Sequence, residues 1–256
     1  METIIYYFTG TGNSLQIAKE LALLLPHAEL VAMTQSTTMD FSADRIGFVF
    51  PVYLWGVPEL LLRKMKEVKA GESTYFFAVA TYKSQMGNAL GQLAKAMDRC
   101  GLSLSASFGV EMPGNNIIYY DVEPMAVQDE KRKASLSRLA QIAQAVKEKR
   151  AETVSAGFVD KYFKTGMLNP IISRTFHGSD KNFRAQPDCT GCGVCANVCP
   201  VKNIIMKEAL PAWQGHCQQC LACISVCPQK AIQYGQMTLN RERYLNPTVT
   251  LEELFR

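Results

Sequence analysis

The sequence predicts a doubly wound α/β domain with a five-stranded parallel sheet, followed by a small cysteine-rich domain. Three observations lead there. Five short apolar runs alternate with segments of helical periodicity over residues 1–150. The first run opens onto a turn rich in glycine and hydroxyls that leads into a helix. Near the C-terminus, cysteines recur in two copies of one spacing.

The first run, Ile4-Ile5-Tyr6-Tyr7-Phe8, is β-branched and aromatic throughout, as suits a strand buried on both faces. Thr9-Gly10-Thr11-Gly12-Asn13-Ser14 follows at once. Leu15, Ala18, Leu21, Ala22 and Leu25 then fall at helical spacing, and Pro26 ends the helix. Strand, polar turn and helix in that order make an anion site. Glycines let the backbone approach, hydroxyls donate, and the helix N-terminus adds its dipole. The loop lacks the Gly-Lys-Ser/Thr of a P-loop and the chain has no G-x-G-x-x-G, which disfavours ATP and a Rossmann dinucleotide.

Residues 29–33 read as a second strand and 46–50 as a third, which ends at Pro51-Val52-Tyr53-Leu54-Trp55-Gly56-Val57-Pro58. A helix carrying Leu60, Leu61, Met65 and Val68 comes next. Residues 75–80 form the fourth strand, ending at Thr81-Tyr82, and a helix covers about 89–100. The fifth strand is 104–110, and a long helix spans 128–149 with Leu136, Leu139, Ala140, Ala143 and Val146 as its apolar stripe. Its many Lys and Arg residues read as a solvated face.

The cysteines read Cys189-x2-Cys192-x2-Cys195-x3-Cys199-Pro200 and Cys217-x2-Cys220-x2-Cys223-x3-Cys227-Pro228, each with a counterpart 28 residues later. Val198/Val226, Lys202/Lys230 and Ile204/Ile232 repeat with them. Soft thiolate ligands suit zinc or iron–sulfur centres. Structural zinc usually takes two Cys-x2-Cys pairs and needs neither a third cysteine nor Cys-Pro; a disulfide framework belongs to secreted chains. The spacing therefore favours iron–sulfur.

Residues 187–234 resemble two-[4Fe-4S] bacterial ferredoxins, a small α+β fold. The resemblance implies Cys189, Cys192, Cys195 and Cys227 on one cluster, with Cys199, Cys217, Cys220 and Cys223 on the other. Residues 1–150 are similar to flavodoxins, and Thr9–Ser14 to their FMN-phosphate loop. That similarity implies strand order 2-1-3-4-5 with FMN at the carboxyl ends of the strands. Thr9, Gly10, Thr11, Gly12, Asn13 and Ser14 would hold the phosphate. Pro51, Val52, Tyr53, Trp55 and Gly56 would line one face of the ring, with Trp55 or Tyr53 stacking on it; for Trp55 the alternative is packing on a neighbouring helix. Thr81, Tyr82, Lys83 and Gly87 would form the third flavin loop. That loop departs from the Thr-x-Gly-Gly pattern of related sequences, and Lys83 is a candidate to stabilise negative charge on reduced flavin. The 112–116 loop, Met-Pro-Gly-Asn-Asn, joins the same edge, either as an Asn-rich turn or as a screen for a substrate or partner.

The whole chain resembles the family of flavodoxin–ferredoxin fusions. Its implied division is a flavodoxin-like domain over 1–150, an aromatic and basic connector over 151–186, a ferredoxin domain over 187–236 and a C-terminal extension over 237–256. The implied function is electron transfer between external redox proteins, two [4Fe-4S] clusters and FMN. The alternatives are a flavin-dependent reductase of a quinone or other small acceptor, and a redox-sensing or partner-binding protein.

The connector carries Phe158, Tyr162, Phe163, Phe176 and Phe183 among Lys161, Lys164, Arg174, Lys181 and Arg184. It is expected to pack between the domains and screen the clusters from water. Trp213 is expected over a cluster, His177 and His216 are candidate donors to sulfur, and Cys100 reads as a small buried apolar residue. The formal charge of +4 would fall to about −2 with two oxidised cubanes and a flavin phosphate in the count, so no nucleic-acid partner is expected. The start Met1-Glu2-Thr3 lacks a basic, then apolar, leader, and no run approaches the ~18 apolar residues of a membrane span. With nine cysteines, that points to a reducing cytoplasm.

Overall fold

Strand β1 (Thr3–Tyr7) lies inside the sheet with a strand on each side, and its Ile5, Tyr6 and Tyr7 are buried. In the computed structural model, which describes residues 1–67, 74–171 and 178–255, it pairs in parallel with β2 (Ala28–Ala32) and β3 (Arg45–Pro51). β4 (Tyr75–Tyr82) and β5 (Leu104–Glu111) complete a five-stranded parallel sheet in the order β2-β1-β3-β4-β5. This is the flavodoxin-like order, and its strand ends and loops meet where the order reverses beside β1.

Helices α1 (Asn13–Leu24), α2 (Glu59–Met65), α3 (Ala89–Asp98) and α4 (Met125–Lys147) connect and flank the strands. Leu60, Leu61 and Met65 of α2 are buried as expected; Val68 lies outside the described residues. One face of the sheet buries a ring cluster in which Phe48 stacks on Phe76 at 6.3 Å and Phe41 meets Phe76 edge-on at 5.2 Å.

Two details correct the sequence reading. Leu136 and Ala140 of α4 are exposed, and the buried face instead runs through Gln128, Arg132, Ser135, Leu139, Ile142, Ala143 and Val146. Arg132 on the polar half of that face bonds to Tyr244, far along the chain, which no periodicity in α4 could announce. Cys100 is half-buried rather than enclosed.

A small ferredoxin-like part follows. β6 (Phe183–Ala185) pairs antiparallel with β9 (Ile232–Tyr234), and β7 (Ile204–Lys207) forms a hairpin with β8 (Leu210–Trp213). The one-turn helices α5 (Val194–Asn197) and α6 (Ala222–Ser225) each follow a cysteine loop. The duplication extends to the backbone. Left-handed residues recur 28 apart at Gly191 and Gln219, Gly193 and Leu221, Lys202 and Lys230.

The connector differs from expectation in its first half. A π-helix (Val159–Leu168) presents Phe158, Tyr162 and Phe163 to solvent, at 78%, 56% and 51% exposure. It braces the loop after β3 instead of lying over the cysteines. Thr165 donates to the Trp55 carbonyl at 2.7 Å, and Asn169 donates to those of Tyr53 and Leu54 at 3.2 and 3.0 Å. Only in its second half does Phe183 cover the small domain, stacking on Trp213 at 5.6 Å. Arg174, Phe176 and His177 lie outside the described residues.

Gly47 in β3 sits beside Phe77 in β4, and a β-carbon there would fall 2.3 Å from the buried Phe77 ring. Gly47→Ala should lower stability by about 1–3 kcal/mol, read from urea denaturation, and Phe77→Leu on the same chain should recover part of that loss.

Candidate functional site

The two cysteine sets close on themselves. Cys189, Cys192, Cys195 and Cys227 line one small cavity, so the last cysteine of the second repeat joins the first three of the first. Burial pushes the Cys195 thiol up to about 11, and the proximity of Cys192, Cys227 and Cys189 adds to the rise. Cys223 is raised by burial, then by Cys220, Cys217, Cys199 and, most weakly, Cys195. Cys217 likewise has Cys220 and Cys199 as neighbours, so the last cysteine of the first repeat lies near the first three of the second. Thiols so placed oppose one another's ionisation, and a cationic core would reverse that, so the donor set fits a metal–sulfur centre. Cys192 is exposed, whereas Cys199, Cys220 and Cys223 are buried.

Main-chain amides serve the sulfurs. Asn203 N–H donates to Cys199 Sγ and Gln219 N–H to Cys217 Sγ, each at 3.2 Å. His216 does not take that role: its ring Nε2 lies 3.1 Å from the Val201 carbonyl. Buried Asp180 accepts from Asn203 Nδ2 and Gly215 N–H at 2.9 and 2.7 Å and so fixes the turn before Cys217.

A second cavity of about 430 Å³ opens at the carboxyl end of the sheet, within the size range of small-molecule sites. Thr9, Gly10, Thr11, Asn13 and Ser14 line it, with Pro51–Trp55, Thr81–Gln85 and Met112–Asn116. The sequence also assigned Gly12, Gly56 and Gly87 to this site, but none lines the cavity. Gly12 is left-handed at the start of α1 and abuts Asn246 and Val249. Gly56 abuts Asn169, and Gly87 abuts Trp55 and Thr165. Each allows a close approach of protein to protein.

The 9–14 loop is held from within. Thr9 Oγ1 accepts from the Gly12 amide at 3.1 Å, and Thr11 Oγ1 accepts from Asn115 Nδ2 at 2.9 Å. Each hydroxyl keeps its own proton to donate, which fits an anion. Asn13 is spent on structure: Nδ2 donates to the Pro113 carbonyl, while Oδ1 accepts from Tyr244 and Asn246 at 2.6 and 3.0 Å. Asn246 N–H donates to the Thr11 carbonyl and its side chain to Gln16, binding the C-terminal segment across the loop. Lys83 lines the cavity with its ammonium 3.7 Å over the Tyr120 ring. Lys131 pairs with Glu123 and Glu111, and Glu123 accepts from the Gly114 amide, which fixes the 112–116 loop. Burial alone would raise the Glu123 carboxyl, yet Lys131 and the Gly114 amide outweigh it and hold the group below its usual range.

The sequence reading missed two cavity residues from the small domain, Gln219 and Leu221. They hold the left-handed positions that Gly191 and Gly193 hold in the first repeat. Laying the repeats side by side would have exposed that departure. Gly10 makes the tightest seam, since a β-carbon there would fall 2.1 Å from the Cys220 carbonyl oxygen.

Residues 181–228 match the 4Fe-4S dicluster domain family. No curated protein is matched by the chain. Among solved structures, a flavodoxin from Streptococcus pneumoniae TIGR4 is similar at 14% identity and TM-score 0.43, over 58% of this chain and 99% of that one. Rubredoxin oxygen:oxidoreductase from Desulfovibrio gigas aligns at 18% identity and TM-score 0.37, over 58% of this chain and 36% of that one. An azoreductase from Bacillus anthracis aligns at 12% identity and TM-score 0.38, over 56% and 99%. The fold assignment rests on the strand order and register of the sheet itself. Among the described residues no helix is long and apolar enough to cross a membrane.

Gly10→Ala cannot be absorbed by a side-chain movement, because the opposing atom is backbone. It should part the 9–14 loop from the Cys220 loop and lower bound iron in anaerobically reconstituted protein. Burial pushes the Tyr244 phenol, which donates to Asn13, up to about 12. The folded chain keeps a proton that the unfolded chain loses from pH 10 upward, so stability is complete below pH 10 and falls between pH 10 and 12. Tyr244→Phe should flatten that fall in denaturation curves taken across the window.

Proposed function

We propose that this chain is a flavodoxin–ferredoxin fusion that moves electrons between external redox proteins, two [4Fe-4S] clusters and FMN, in a reducing compartment. One observation carries the reading. The anion-binding loop of the parallel sheet and the second cysteine loop wall the same cavity, through Thr9, Gly10, Thr11, Asn13 and Ser14 on one side and Gln219 and Leu221 on the other. Cys189, Cys192, Cys195 and Cys227 would hold one cluster, and Cys199, Cys217, Cys220 and Cys223 the other. Thr9, Thr11 and Ser14 would hold the flavin phosphate, with Tyr53 and Trp55 beside the ring and Lys83 facing the cavity.

A flavin accepts one or two electrons and iron–sulfur clusters pass them singly, so the pair suits conversion between the two regimes. The chain's own residues supply the rest. The loops orient the ligand, Gly10 keeps the Cys220 loop against the cavity, and buried Phe183 and half-buried Trp213 cover the small domain. Exposed Cys192 gives the first cysteine set the surface that an external partner can reach.

Anaerobically reconstituted protein should carry about eight irons and eight sulfides with one FMN per chain. In a stepwise reductive titration, visible and paramagnetic signals of both centre types should respond, and a chain with one centre pre-reduced should pass electrons to the other. Reduction of one centre that never spreads would overturn the relay, and absence of labile sulfide would overturn the cluster assignment.

A further inference from the structure

We infer that Tyr53 links the cavity to the second cysteine set: its ring is cavity wall, and its hydroxyl donates a hydrogen bond to a sulfur of that set. The inference rests on the two-cluster, FMN reading above.

The Tyr53 ring lines the cavity and meets Phe8 edge-on at 6.1 Å. Its backbone is fixed by paired hydrogen bonds with Gly56, at 2.9 and 3.0 Å, and by Asn169 on its carbonyl. The ring therefore has a set direction. The hydroxyl at its far end is fully enclosed and has no partner among the described residues. Its electrostatic neighbours are Cys220 and Cys217, both of the second set. Buried hydroxyls are rarely left unpaired because desolvation without a partner is costly. An acceptor beside two cysteines is a thiolate or sulfide once the set holds its cluster. A rival is the Gln219 side-chain oxygen, also buried without a partner on this wall.

The two acceptors have different consequences. A hydrogen bond to sulfur favours the more negatively charged, reduced state of a cluster and raises its potential. A bond to Gln219 would leave the potential alone. Because the donor is carried by a cavity residue, Tyr53 would set the second cluster's potential from the flavin side and leave the first cluster untouched.

The test is Tyr53→Phe in the full-length, loaded protein, followed by redox titration with paramagnetic resonance. Cys192→Ala, in the first set, identifies by subtraction which signal belongs to the second. The expected result is a fall in the second cluster's midpoint equivalent to a three- to tenfold shift in its reduced-to-oxidised ratio, about 30–60 mV at 59 mV per tenfold. The first cluster's midpoint and the iron content should match wild type. Tyr53→Met fills the wall without a donor and gives the same reading should the phenylalanine variant load poorly. An unchanged second midpoint, or equal shifts in both clusters, overturns the inference while leaving the relay standing. A wild-type chain that takes up no clusters overturns the relay and the inference together.

Discussion

The contact between Gly10 and Cys220 is the constraint from which the rest of the architecture follows. Two backbones meet there with no side chain between them. Only glycine permits the approach, and neither partner can yield without moving its whole loop. The same two loops carry the hydroxyls of Thr9, Thr11 and Ser14 and three cysteines of the second set, Cys217, Cys220 and Cys223. Smaller links secure the seam at its edges: Gln35 N–H donates to the Pro200 carbonyl at 2.9 Å, and Gln218 accepts from the Leu60 amide at 3.3 Å. The arrangement places cavity and sulfur cage in one packed unit rather than on two beads joined by a tether.

Strain near this seam has a direction. In the first repeat, Gly191 and Gly193 occupy the left-handed turns without penalty; in the second, Gln219 and Leu221 adopt the same turns at roughly 1–2 kcal/mol each. Both side chains sit on the cavity wall. The second repeat thus keeps larger residues where backbone economy favours glycine, and the difference coincides with a cavity wall that Gln219 and Leu221 share with the loops of the parallel sheet. Leu54 and Trp55 show the same trade in the facing loop, held left-handed by Thr165 and Asn169 of the π-helical connector.

The sheet was legible because β1, β3 and β4 are near-continuous apolar runs and the helices between the strands keep their period. Duplicated cysteines were legible because metal ligation fixes spacing. Other features escaped for physical reasons. Arg132 on the buried polar face of α4 pairs with Tyr244, more than a hundred residues away. Asn246 reads as an ordinary loop residue, yet it is fully buried and bonded to Asn13 and Gln16. Phe158, Tyr162 and Phe163 read as core and are exposed, since composition reports apolar content but not which side of a helix is anchored. The glycines of the ligand loops were read as making room for a ligand. Gly12, Gly56 and Gly87 make room for Asn246, Asn169 and Trp55 instead.

Tyr244 and Asn246 grip a loop formed by residues 9–14. The clasp joins Tyr244 to Asn13 across 231 positions of sequence, so the shape of that loop belongs to the whole fold and not to the strand and helix beside it. A proteolytic cut that let the parallel-sheet half drift from the segment around Tyr244 would leave the sheet with an unlatched loop, although no residue of the loop itself had changed.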